Sequence, residues 1–164
     1  MIFVTVGNAR QPFSRLIISV DKLAGEGVFG PDNVIIQAGH DRDFLPKHCK
    51  RHEFLPLEEY ISLMREANLV ICHGGAGTLY HSFNAGKVPI VMPRQKQYCE
   101  HVDDNQIDLV RALAATGRIV AAYEPIDLIP AISEARQRRG HHDFLPSNML
   151  ALVKDAVERL MDKH

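Results

Sequence analysis

The chain has 164 residues, 46% hydrophobic and 24% charged, which excludes disorder and fibrous repeats and supplies enough apolar surface for a sizeable core. Against a domain prior of roughly 150 residues, this predicts one α/β domain over 1–164. Nineteen Lys and Arg against twenty Asp and Glu leave a formal charge of -1, so nothing draws the whole molecule to nucleic acid or anionic lipid, and a small ligand is expected.

Short Val- and Ile-rich runs alternate with segments of helical period, the signature of consecutive βα units and a parallel sheet. In chain order the strands are predicted at Ile2 to Val6, Val34 to Gln37, His52 to Phe54, Leu69 to Cys72, Pro89 to Met92 and Arg118 to Ala121. Six strands suffice for a Rossmann-like, doubly wound sheet. The first helix carries Phe13, Leu16, Ile17 and Val20 on one face, the second Leu57, Tyr60, Ile61 and Met64. A short helix is expected from Thr78 to Ala85 and another through Ile107, Val110, Leu113 and Ala114. Pro130 is compatible with a helix to about Arg138 if Asp127 is the N-cap, because it then sits in the first turn, where its missing N–H costs nothing. A loop from Arg139 to Pro146 should lead to a closing amphipathic helix from Ser147. No apolar run approaches the ~18 residues of a spanning helix, and the opening run has no basic leader. Cys49, Cys72 and Cys99 are odd in number and form no Cys-x-x-Cys pair, so a reducing compartment, the cytoplasm, is expected.

Open parallel sheets bind ligands at the carboxyl ends of their strands. The loop after the fourth strand, His73-Gly74-Gly75-Ala76-Gly77-Thr78, gives the sharpest signal. Its glycines, between a buried strand and a helix, would expose successive backbone N–H groups at a helix N-terminus and let an anion approach, which suits a phosphate or diphosphate. Thr78 could cap the helix or donate to a phosphate, and His73 could add a donor. The alternative is a tight turn whose glycines serve packing alone. Gly86-Lys87 precedes a strand and is no P-loop, and the glycines at 74, 75 and 77 miss the dinucleotide spacing. An NADP site would have to use Arg94. Asp41-Arg42-Asp43 reads as a solvated charged loop rather than a cation site, and His48, Cys49 and His52 lack the fourth ligand of a closed zinc site.

Taken together, the glycine turn, Ala85-Gly86-Lys87-Val88-Pro89 and Asp104-Asn105-Gln106 resemble the donor-binding C-terminal half of GT-B glycosyltransferases of family 28, the family of the single-chain MurG. The opening Ile2-Phe3-Val4-Thr5-Val6-Gly7 is similar to the small donor subunit of two-subunit UDP-N-acetylglucosaminyltransferases and bacterial exopolysaccharide enzymes. The resemblance covers roughly the first three quarters of the chain. It implies an inverting transfer from a UDP-sugar, expected to be UDP-N-acetylglucosamine, with no metal or other cofactor. It also implies a membrane-associated partner chain that binds the acceptor and supplies the catalytic base, so no catalytic base is placed here; a homo-oligomer stays open. By position, Gly7, Asn8, His73, Gly74, Gly75, Ala76, Gly77 and Thr78 would hold the diphosphate. Phe54 and Leu55 would meet the uracil, and Asp104, Asn105 and Gln106 the sugar. His81 stands where many members carry a ribose-binding glutamate; a neutral imidazole accepts one hydroxyl bond where a carboxylate clamps two. The other reading is an NADP- or mononucleotide-binding regulatory or redox protein without transferase activity.

Overall fold

A computed structural model describes residues 1–138. The predicted loop from Arg139 and closing helix from Ser147 lie outside the described residues. The elements are β1 (Ile2–Thr5), α1 (Ser14–Gly25), β2 (Val34–Gln37), β3 (Lys50–His52), α2 (Leu57–Glu66), β4 (Leu69–His73), α3 (Ala76–Asn84), β5 (Ile90–Met92), α4 (Asn105–Ala115), β6 (Val120–Ala121) and α5 (Leu128–Arg138). Two 3-10 turns, Lys96–Tyr98 and Pro125–Asp127, precede α4 and α5. The six strands are parallel and ordered β3-β2-β1-β4-β5-β6.

Alternation along the strands divides the interior in two. Ile2, Val4, Leu69 and Ile71 face one layer, with Leu16, Ile17 and Val20 of α1 and Leu128, Ala131 and Ile132 of α5. Phe3, Val70 and Cys72 face the other, with Tyr60 and Met64 of α2, Leu79 and Phe83 of α3, and Leu109, Val110 and Leu113 of α4. Both faces of the central strands are therefore buried, which explains why β1 and β4 read as unbroken apolar runs. Cys72 is core, and burial pushes its thiol far up. Among the described residues, no helix is long and apolar enough to cross a membrane.

Three expectations are corrected. The third strand is Lys50–His52, not His52 to Phe54: Lys50, Arg51 and His52 pair with Ile35, Ile36 and Gln37. This edge strand has a polar sequence, and the hydrophobic Phe54-Leu55 that suggested a strand belongs to the loop after it. The helix expected at Thr78 begins at Ala76, so Thr78 is its third residue and not its cap. Asp127 does precede α5, but its carboxylate turns back to accept the N–H groups of Tyr123 (3.0 Å) and Glu124 (2.9 Å), closing a capping box with Glu124 around the 3-10 turn.

Candidate functional site

The connection from β1 leads to β2 on one side and that from β4 to β5 on the other, so the loops after β1 and β4 diverge and leave a crevice at the carboxyl edge. A cleft of about 430 Å³ opens there. Gly7 and Asn8 line it after β1, Gln37 at the end of β2, and Phe54, Leu55 and Leu57 after β3. Tyr60 of α2, His73 and Gly75 after β4, and Gly77, Thr78 and His81 of α3 complete it.

The glycine turn has three different jobs. Gly75 is the extended residue before α3, and its carbonyl accepts the first intrahelical bond, from Leu79 N at 3.1 Å. The N–H groups of Ala76, Gly77 and Thr78 precede that bond and are the orphan donors of the helix start. A Cβ on Gly77 would meet nothing within 4 Å, so this glycine keeps space open beside those donors. Gly7 and Gly75 instead make room for His73, since a Cβ on either would run into the imidazole. At Gly7 the backbone also lies at φ 72°, in the left-handed region. Gly74 faces α4: its added Cβ would come within 3.0 Å of Val110 Cγ2, and its N–H donates to Gln106 Oε1 at 3.1 Å.

His73 is buried, and Nδ1 has no partner among the described residues. Burial first, then the charge of Arg94, push the imidazole down to about 3, against an opposing pull from the Thr5 backbone. His73 is therefore neutral at ordinary pH, with one N–H to donate and one lone pair to accept. The Tyr60 hydroxyl lies 3.4 Å from Thr78 Oγ1 and is pushed up to about 12 by burial. Phe54 is 43% exposed, and its ring meets His40 edge-on at 5.0 Å. His81 sits between Tyr60 and Tyr80, at ring separations of 5.7 and 5.6 Å.

The residues after β5 are placed differently. Gln106 is buried, and its Oε1 accepts from both Gly74 N and Arg94 N at 3.1 Å, so only its amide NH2 end is left for a ligand. Asp104 accepts from Lys96 N at 2.8 Å, and Asn105 Nδ2 donates to Asp103 at 2.9 Å; both are exposed. Gly74, Ala76, Asp104, Asn105 and Gln106 are not among the cleft-lining residues. Gln37, Leu57 and Tyr60 line it as well. Tyr60 and Leu57 were legible only as a helix face, and Gln37 only as a strand end. Asp41 is not solvated: it is buried, and its carboxylate accepts Ser14 Oγ at 2.6 Å. Among the described residues, no group of three His, Cys, Asp or Glu is arranged to hold a metal. Arg94 is wholly buried with its guanidinium on backbone carbonyls, so it does not face a ligand at the strand end as a 2′-phosphate site would need it to.

Residues 1–160 match the model of the glycosyltransferase family 28 C-terminal domain, further along the chain than the motifs alone reach. No curated protein matches the chain. Among solved structures it is similar to the glycotransferase of kitacinnamycin (15% identity, TM-score 0.59), over 96% of this chain and 40% of that one. It is similar to CalG4, the calicheamicin glycosyltransferase (17%, 0.58), over 97% and 43%, and to MurG of Acinetobacter baumannii (20%, 0.56), over 93% and 49%. The chain spans less than half the length of each of these structures.

Proposed function

Because the chain belongs to the glycosyltransferase family 28 C-terminal domain family, we propose that its cleft binds the UDP-sugar donor, UDP-N-acetylglucosamine, of an inverting, metal-independent glycosyl transfer in polysaccharide or lipid-linked glycan synthesis. A separate membrane-associated chain supplies the acceptor site and the general base, and the reaction takes place on the cytoplasmic side. The observation that carries this reading is the convergence, at the switch point of the sheet, of the orphan donors of α3, the open side of Gly77 and the neutral His73. The match to the family's C-terminal domain supports the donor-binding reading.

In the transfer, the bond from the sugar C1 to the β-phosphate oxygen breaks and its electron pair leaves with UDP. The acceptor oxygen bonds C1 from the opposite face and loses its proton to the partner's base. Charge that develops on the departing diphosphate meets the fixed N–H groups of Ala76, Gly77 and Thr78 and the positive end of α3. Phe54 and Leu55 offer an apolar edge to the uracil, His81 one bond to the ribose, and Asp104, Asn105 and the Gln106 amide NH2 end contact the sugar hydroxyls.

Thermal unfolding in excess ligand tests this. UDP-sugar at ~100 times its dissociation constant should add ~2.7 kcal/mol, raising Tm by ~2–4 °C per kcal/mol for a chain of this size. UDP-N-acetylglucosamine should stabilise more than UDP, and NADP should not stabilise at all. Stabilisation by NADP alone would overturn the reading in favour of a redox or regulatory nucleotide protein.

A further inference from the structure

We propose that Arg94, which touches no cleft surface itself, is the positioning residue that ties together three of the loops of the donor site, those after β1, β4 and β5, an inference that rests on the donor-binding reading above. Its side chain has no exposure at all and is the largest wholly buried one described. Nη2 donates to Val6 O at 2.8 Å, at the start of the loop after β1; Nη1 donates to Gln11 O at 2.8 Å and Pro12 O at 3.4 Å, at its end. One guanidinium thus pins both feet of the loop whose tip presents Gly7 and Asn8 to the cleft. Nη1 also donates to Glu100 O at 3.0 Å, within its own loop after β5. The backbone N–H of Arg94 completes the tie, sharing Gln106 Oε1 with Gly74 N of the turn after β4.

A planar fork is required for this. Arg presents its donors in fixed directions, and here two nitrogens reach carbonyls lying on opposite ends of a loop; a Lys ammonium keeps the charge but is a single point. The guanidinium packs over the Phe13 ring at 4.8 Å, which fixes its plane. Its loop is held in turn by Arg15, whose Nε and Nη2 each donate to the Glu100 carboxylate at 2.9 Å while Nη2 also reaches Pro93 O at 3.1 Å. Burying a cation whose bonded partners are carbonyls is costly, and Nε has no partner among the described residues.

The test compares wild type, Arg94→Lys and Arg94→Met in amide hydrogen exchange without ligand and in UDP titration. Arg94→Lys should unfold cooperatively, exchange faster at Gly7 and Asn8 with Ile36 and Val120 unchanged, and bind UDP about tenfold more weakly, equivalent to 1.4 kcal/mol. Arg94→Met should do the same more strongly, and if it does not fold the Lys variant decides. Wild-type exchange at Gly7 and Asn8 with wild-type UDP affinity in Arg94→Lys would overturn the proposal, as would faster exchange spread evenly over the sheet. If exchange rises locally but wild type itself binds no nucleotide, the positioning role stands and the donor reading falls.

Discussion

Glycines that look alike in the sequence differ in what a methyl group would meet, and that difference separates packing from binding. Gly75 faces the His73 ring, so Gly75→Ala should destabilise the protein by ~1–3 kcal/mol through overpacking and displace the imidazole. Gly77 faces open space in the first turn of a helix, where Ala is the better helix former. Gly77→Ala should leave the free protein as stable or up to ~1 kcal/mol more stable, yet weaken UDP binding by about tenfold because the methyl occupies the approach to the orphan N–H groups. Denaturant titration paired with calorimetry checks both; a Gly77→Ala variant that binds as wild type does would place the diphosphate elsewhere. The sequence announced this turn by its composition. It did not announce the role of Arg94, which in the sequence offers itself only as a cation for an NADP phosphate; the three-dimensional gathering of Val6, Gln11, Pro12 and Glu100 carbonyls gives it an interior place instead.

At the level of elements, what was legible followed apolar periodicity. β1, β2 and β4 and the buried stripes of α1, α2 and α4 follow their hydrophobic residues. β3 does not, since Lys50, Arg51 and His52 have no apolar face to show and are recruited by the exposed edge of β2. The two-residue shift matters for the site: it moves Phe54 from strand to loop, where it and Leu55 turn into the cleft. α4 carries a second lesson. Gln106 at its start seemed only a ligand-binding residue, but its carbonyl oxygen is an acceptor for two loops. Gln106→Ala should therefore cost ~1–3 kcal/mol of stability by orphaning buried N–H groups, and weaken UDP as well as UDP-N-acetylglucosamine, the sugar nucleotide more because it also loses the amide NH2 contact. Asn105→Ala, whose side chain bonds only within its own turn, should spare UDP and weaken the UDP-sugar. Isothermal titration with both ligands checks the contrast; the reverse pattern would remove Asn105 from the sugar site.

Over residues 1–138 the protein is a parallel sheet covered on both faces, with the cleft at its carboxyl edge and Ile126 and Val102 among its exposed apolar side chains. Strand order could not be read from the sequence, because every βα unit looks alike locally; it is the order β3-β2-β1-β4-β5-β6 that converts separate loops into one cleft. On the proposed reading, a nucleotide diphosphate-sugar sits at that switch point on the first turn of α3. Backbone amide shift mapping of the chain titrated with UDP-N-acetylglucosamine tests it most directly. The largest perturbations are expected at Gly7, Gly75, Ala76, Gly77 and Thr78, with smaller ones at Phe54, Leu55 and His81. Perturbations centred on the opposite edge of the sheet, around Asp32 and Lys50, or none at all at saturating ligand, would contradict it.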